Sequence, residues 1–299
     1  MGNGKKNNTV LERPGWIRSR VSWDGNVGRV RDLLNELNLN SVCWDAACPN
    51  RGECWEKGHV TFMILGRNCT RRCRFCNIAA GVPEDPDPFE PGRIAAAVSR
   101  LGIKYAVITS VTRDDLADRG TNQFVDTVRE IRTGAPFALI ELLIPDMDAD
   151  RGLLREIVFS GAQVVGHNIE MPFSLYPALR PEANYGKSLR TISLLKGHSP
   201  RSIVKSSIMA GLGETKDELI RAIRDLRDAG VDILYIGQYL SPSADHWPVR
   251  KYYTPAEFQG LKEEAERAGV PVVLSGPMVR SSYEAHGSYL AYKAVSAQV

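Results

Sequence analysis

Beyond about residue 60, short apolar runs rich in β-branched residues alternate with longer stretches whose apolar positions fall three and four apart. The runs TFMILG (61–66), YAVITSV (105–111), ALIELLI (138–144), AQVVGHNIE (162–170), SIVKSSIM (202–209) and DILYIGQYL (232–240) read as strands. VPVVLS (270–275) is a further short one, in the sheet or near its edge. Between them, PGRIAAAVSRLG, TNQFVDTVREIRT, ADRGLLREIVFSG, KSLRTISLLKGH, TKDELIRAIRDLRDAG and TPAEFQGLKEEAERAG carry the helical period. Several end in Gly, as helix C-caps do. Thr121, Thr215 and Thr254 stand at helix starts as capping residues, the last with Glu257 in a capping box.

Strand then helix, repeated about six times, implies a parallel sheet with right-handed crossovers. A barrel and an open doubly wound sheet both satisfy that pattern. In either, functional groups gather at the C-terminal ends of the strands. Those ends carry Thr109, Ser110 and Arg113, then Glu141, Asn168, Glu170, Ser206, Ser207, Gln238 and Tyr239. Ahead of the repeats lie one amphipathic helix, Val30 to Leu37, and a cysteine-rich loop from Cys43 to about His59.

Charge narrows the partners. The 299 residues include 24% charged side chains and carry a net charge of only +3, so neither nucleic acid nor an anionic membrane surface is expected as a partner. No apolar run is long enough to cross a bilayer. The polar first ten residues lack a signal-peptide core, and Lys6 breaks the myristoylation pattern that Gly2 would open. The expected location is the cytoplasm, where clustered thiols bind metal more often than they form disulfides.

All six cysteines fall between positions 43 and 76, as two sets of three. The downstream set is Cys69-x3-Cys73-x2-Cys76, in the loop after the first strand of the repeats, with Phe75 before its last member. A structural zinc ion wants four ligands. Three thiolates suit a [4Fe–4S] cube that keeps one iron open to a small molecule. The upstream set, Cys43-x4-Cys48-x5-Cys54, again lacks a fourth cysteine. On spacing His59 is the nearest candidate for that position, although a loop histidine is ordinarily a polar surface residue, and a distant ligand would close the site equally well.

CTRRCRFC resembles the radical S-adenosylmethionine (SAM) signature, and the two cysteine sets in this order resemble the lipoyl synthase family. The likeness runs from about Pro14 to Tyr283 through MILGRNCTRRCRFCNIAAG, SVTRDDLADRG, GHNIE, KSSIMAGLGE, YIGQYLSPSADHWPV and GPMVRSSY. It implies a partial (βα)6 TIM-like barrel of the radical SAM type. Residues 60–270 would form that barrel, 1–59 an extension with the auxiliary-cluster cysteines, and 271–299 a C-terminal extension with the RSSY motif. The resemblance further implies two [4Fe–4S] clusters and SAM as cofactors. The cluster on Cys69, Cys73 and Cys76 would cleave SAM to a hydrogen-abstracting 5′-deoxyadenosyl radical. Cys43, Cys48 and Cys54 would hold an auxiliary cluster completed by a serine of Arg280-Ser281-Ser282-Tyr283, with Ser282 preferred over Ser281. That cluster would donate two sulfurs to C6 and C8 of an octanoyl-lysine on a carrier protein. The implied carriers are the lipoyl domain of a 2-oxoacid dehydrogenase acyltransferase and the glycine-cleavage H protein. A ferredoxin or flavodoxin would supply electrons, and an iron–sulfur carrier would rebuild the spent cluster.

For SAM itself the candidates are Asn168 and Glu170 toward its polar groups, Arg113 toward its carboxylate, and Glu141 toward its amino group or ribose. Each is weighed against an ordinary strand-end salt bridge. Gly211-x-Gly213-Glu214 lacks the dinucleotide fingerprint, and His246 reads as a structural loop residue. The chain departs from the family at Met171-Pro172, where Thr-Val is usual, and at Glu284, where His is usual. Two other readings stand beside this one. One is a different radical SAM sulfur-inserting or peptide-modifying enzyme, and the other a non-catalytic iron–sulfur electron carrier. The first assigns no role to Ser282, and the second requires complete sets of four ligands.

Overall fold

The structure, a computed structural model, describes residues 11–18 and 25–297. The N-terminal decapeptide, with Gly2 and Lys6, lies outside them. Helix α1 (Asn26–Glu36) leads to a short strand β1 (Asn40–Ser41). The cysteine region is more ordered than a loop: it holds helices α2 (Val42–Asp45) and α3 (Arg51–Glu56). Ser41 caps α2 by accepting from the Cys43 amide. Trp44 and Trp55 stack at 6.2 Å, with the Arg51 guanidinium 4.2 Å from the Trp44 ring, which fixes the two short helices against each other.

The repeats follow. Strands β2 (Thr61–Ile64), β3 (Tyr105–Ser110), β4 (Leu139–Leu143), β5 (Val164–Gly166), β6 (Ile203–Ala210), β7 (Ile233–Gln238) and β8 (Val272–Gly276) pair in sequence order, each parallel to the next. Helices α4 (Glu90–Leu101), α5 (Thr121–Gly134), α6 (Arg151–Phe159), α7 (Tyr176–Leu179), α8 (Tyr185–His198), α9 (Lys216–Asp228) and α10 (Pro255–Arg267) connect them, and α11 (Ala285–Ser296) closes the chain. Sequential order with every neighbour parallel is a singly wound sheet, so the doubly wound alternative falls. VPVVLS is a full member of the sheet, which therefore continues past residue 270. β1 adds an antiparallel edge that the sequence did not announce.

Alternation along the strands sorts the two faces. Ala106 and Ile108, Ile140 and Leu142, and Leu234 and Ile236 pack into the large core shared with the helices. Each of the Ile and Leu side chains stabilises the fold by about 1.5–3 kcal/mol through burial. The opposite face puts Val164, Ile203, Ile233, Tyr235 and Val272 together, covered by Tyr289 and Tyr292 of α11. Tyr235 donates to Ser288 at 2.7 Å, and Tyr105 stacks on His286 at 5.4 Å, so α11 is anchored against the starts of the strands.

Two local expectations change. Thr121 is the first residue inside α5, and its hydroxyl has no partner among the described residues; Gly120, in left-handed backbone, takes the N-cap position instead. AQVVGHNIE is extended only over Val164–Gly166, after which the chain turns so that Glu170 takes φ 67°. Thr215 and Thr254 do cap α9 and α10, each with a complete capping box.

The sheet stays open. Its edges are β1 and β8, and the segment 277–284 crosses from β8 back to β2. Asn50 donates to the Met278 carbonyl at 2.6 Å and Thr61 to the Ser282 hydroxyl at 2.9 Å, which ties this strap to the N-terminal part of the chain. The strap passes so close to β7 that a β-carbon at Gly237 would collide with the Val279 carbonyl oxygen. Gly237→Ala is therefore expected to cost about 1–3 kcal/mol. A thermal melt checks this, at about 2–4 °C of Tm per kcal/mol; an unchanged Tm would mean that the strap yields freely.

Candidate metal and cofactor site

The loop after β2 carries Cys69, Cys73 and Cys76 at the C-terminal end of the sheet. Its conformation is held from several sides. Cys69 forms a bridge with Ala80, and its Sγ accepts from the amides of Arg71 at 3.4 Å and Thr112 at 3.3 Å. The Arg71 guanidinium is buried between Asp114 and Asp146, at 2.7 and 2.5 Å. The Trp247 amide donates to the Arg74 carbonyl at 2.9 Å, and His246 Nε2 lies 3.2 Å from the Cys76 carbonyl oxygen. His246 is thus a brace of this loop.

Burial pushes the Cys76 thiol up to about 12 and raises Cys73 as well. For Cys73 the Arg180 guanidinium opposes the rise by charge and by a hydrogen bond. Arg180 is itself buried, 3.4 Å from the Asn168 carbonyl, with an Nε that has no partner among the described residues. Thiols so buried ionise against a cation, and a buried guanidinium lowers the cost of gathering three thiolates.

The second set converges across the open edge of the sheet. Cys43, Cys48 and Cys54 line one cavity with His59, Thr61, Arg280 and Ser282. Burial pushes Cys54 up to about 12, and its neighbours Cys43 and Cys48 add to the rise. Burial also raises Cys48, with the Arg280 charge opposing it. His59 faces the same cavity, held by its amide to the Cys54 carbonyl at 2.8 Å. Among the described residues no three His, Cys, Asp or Glu side chains converge as they would around a single ion. A cube takes each thiolate on a different iron and needs no such convergence. Three thiols, Cys43 buried and Cys48 and Cys54 half-buried, and a hydroxyl facing one cavity fit such a group.

A larger cavity of about 350 Å³ lies beside both sets, within the range of small-molecule sites. Cys43 and Cys48 line it on one side, Cys76 on the other, and Ser281 and Ser282 border it. Asn168 and Glu170 reach it too, the left-handed turn at Glu170 being held by its amide to the Ser207 carbonyl at 3.1 Å. Arg113 and Glu141 are placed elsewhere. Arg113 is buried against Asp115 at 2.9 Å. Glu141 sits in mid-strand, pairing with Lys205 at 2.8 Å and accepting from Tyr105 at 2.7 Å, inside the sheet and away from the cavity. The Glu214 carboxylate accepts from the amides of Gly211, Leu212 and Gly213, so this glycine-rich turn closes on itself.

Thr61, Arg180 and the cation of Arg280 were not among the candidates read from the sequence, whereas Ser207, Gln238 and Tyr239, read as strand-end groups, do line the larger cavity. Arg280 lay within a quoted motif. Thr61 and Arg180 are single residues whose contacts arise only on folding.

The Radical SAM superfamily model matches residues 63–226. Among solved structures, methylornithine synthase (PylB) superposes with a TM-score of 0.54 at 15% identity, covering 71% of this chain and 70% of that one. HydG, a maturase of the [FeFe]-hydrogenase, gives 0.57 at 14% identity, covering 71% and 50%. Fold and cysteine loop together define a radical SAM enzyme. The chain is 46% identical to the lipoyl synthase of Rubrobacter xylanophilus over 92% of its own length and 85% of that protein. It is 44% identical to the lipoyl synthase of Alkaliphilus metalliredigens over 92% and 95%. Within the superfamily it belongs to the lipoyl synthase family, whose cofactors are SAM and two [4Fe–4S] clusters. No helix among the described residues is long and apolar enough to cross a membrane.

One buried group beside the site titrates in an accessible range. His167, in GHNIE, bonds the Ile144 carbonyl through Nδ1 at 2.9 Å and Ser188 through Nε2 at 3.0 Å. Burial lowers it to about 4, with Asp146 offsetting only part. The folded chain keeps His167 neutral while the unfolded chain protonates below about 6.5, so stability is lost as pH falls from about 6.5 to about 4. The loss from this residue between pH 7 and 5 is expected to be about 2 kcal/mol. Urea denaturation at the two pH values checks it, and His167→Gln should remove that part of the difference.

Proposed function

We propose that this protein inserts two sulfur atoms at C6 and C8 of an octanoyl group carried on a lysine of a partner protein, giving lipoyl-lysine. The observation that carries the reading is the shared cavity. Cys43 and Cys48 of one set, Cys76 of the other and Ser282 border one space, so a chain lying in it is within reach of both metal groups. Cys69, Cys73 and Cys76 hold the cluster that meets SAM, while Cys43, Cys48, Cys54 and Ser282 hold the auxiliary cluster. When bound, the first cluster supplies the electron for reductive cleavage of SAM, and with it hydrogen-abstracting power, while the second supplies sulfide.

The chain's own residues bind, orient and exclude water. Asn168 and Glu170 present polar groups to SAM at the cavity wall, and the side chain of Asn168 hydrogen-bonds Glu170. Arg113 and Glu141 support the frame through Asp115 and Lys205. Phe75, Ile208 and Met209 give the same wall an apolar surface suited to an alkyl chain. Arg180 and Arg280 offset the thiolates of Cys73 and Cys48. Ser282, a hydroxyl among thiols, is a weaker partner for iron than cysteine and the one most readily displaced. The carrier is the lipoyl domain of a 2-oxoacid dehydrogenase acyltransferase or the glycine-cleavage H protein. Ferredoxin or flavodoxin serves as reductant, and an iron–sulfur carrier restores the spent cluster.

The test is anaerobic reconstitution followed by incubation with SAM, a reductant and an octanoyl-lysine peptide. About eight irons per chain, deoxyadenosine release and a peptide that gains two sulfurs are expected. Ser282→Ala should keep deoxyadenosine release and lose sulfur insertion by about 100-fold or more, whereas Cys69→Ala should lose both. Deoxyadenosine release by the wild type with no sulfur gain would overturn the reading.

A further inference from the structure

We infer that Thr61 is the positioning residue of the auxiliary site, holding the Ser282 oxygen toward its iron and donating a hydrogen bond to it. The inference rests on the reading of Ser282 as a cluster ligand. Thr61 opens β2, is 4% exposed, and places its Oγ1 2.9 Å from Ser282 Oγ across 221 positions of chain. A serine oxygen bound to iron has given up its proton and can only accept. A neighbouring hydroxyl must then donate, and a hydrogen bond to a charged oxygen is among the stronger kinds.

The residue is prepared for that task. Its backbone is fixed between β1 and β3, where Ser41 faces Phe62 and Thr61 faces Val107. Its β-branched side chain has few rotamers to lose. Its carbonyl accepts from Ser41 Oγ at 2.9 Å, and Ser41 Oγ accepts in turn from the Cys43 amide at 3.2 Å. One residue therefore joins the first cysteine of the auxiliary set to the serine that completes it. Thr61, Cys43, Cys48, Cys54 and Ser282 all line the same small cavity. Ser281 borders only the larger one, which accounts structurally for the choice between the two serines.

The experiment compares wild type, Thr61→Val and Thr61→Ser as reconstituted holoenzymes. Iron loss to bathophenanthroline is followed anaerobically, and the change in the EPR signal on adding SAM reads the other cluster. Thr61→Val removes the donor at nearly constant shape and should surrender about half of its iron at least about tenfold faster than wild type. Thr61→Ser should match wild type, and the SAM-dependent EPR change should persist in all three. Thr61→Val that never loads those irons, beside Thr61→Ser that does, supports the same conclusion. If Thr61→Val loses the EPR change, Thr61→Ala is read instead, since it removes the hydroxyl without adding apolar volume. Equal iron loss in wild type and Thr61→Val, or equally fast loss in Thr61→Ser, overturns the role of Thr61. A wild type holding only about four irons overturns the reading of Ser282, and this inference with it.

Discussion

A parallel sheet wound in sequence order must either close on itself or find another way to cover its last edges, because unpaired strand edges expose backbone donors and acceptors. Here the sheet remains open between β1 and β8, and a strap of chain from 277 to 284 crosses the gap. Everything distinctive about the site depends on that crossing. The strap is pinned by Asn50 on the Met278 carbonyl, by Thr61 on Ser282, and by Lys57 on Glu284 at 2.8 Å. The last of these is a half-exposed ion pair and contributes little. The first two are sheltered and directional, and they decide where Ser282 lies. Gly237 leaves the room that the strap requires.

The two faces of the sheet divide the labour. Aliphatic residues facing the helices supply most of the burial energy and make the barrel stiff. The inner face is partly polar, with Lys205 and Glu141 paired beneath Tyr105 and Tyr235 and sealed by α11. A buried pair of this kind is weak evidence for added stability, since desolvation consumes much of the attraction. It does bind four strands to one another, and because α11 follows the strap directly, its anchoring holds the far side of Ser282. Toward the other end of the strands the same inner face opens into the cavity, where thiols, Asn168 and Glu170 meet. Lumen chemistry thus changes along the strands from sealed ion pair to open site.

Much of this was legible from periodicity and spacing. The alternating apolar runs located the parallel strands, and the helical stretches between them matched α4 to α10 except for the brief α7. Thr215 and Thr254 declared their caps locally because a capping box is closed within four residues. Thr121 misled because the same residue type one position inside the helix has no amide to reach. GHNIE misled for another reason. A β-like composition there gives way to a left-handed turn at Glu170, stabilised by the Ser207 and Met209 backbone of the next strand. Glu141 looked like a strand-end group, but it is the third residue of β4, opposite Val107 of β3 and Val164 of β5, and its carboxylate pairs with Lys205 two strands away.

By itself the sequence determined the parallel α/β plan, the two incomplete thiol sets and, through resemblance, the family, because each of these is written in residues near one another along the chain. Tertiary structure alone decided that Cys43 and Cys48 of one set and Cys76 of the other border one cavity, that Asn168 and Glu170 reach it while Arg113 and Glu141 do not, and that Thr61 meets Ser282. Those contacts join positions as much as 221 residues apart. No local spacing encodes them: they exist only when strand register and the crossing of the open edge bring the two ends of the barrel together.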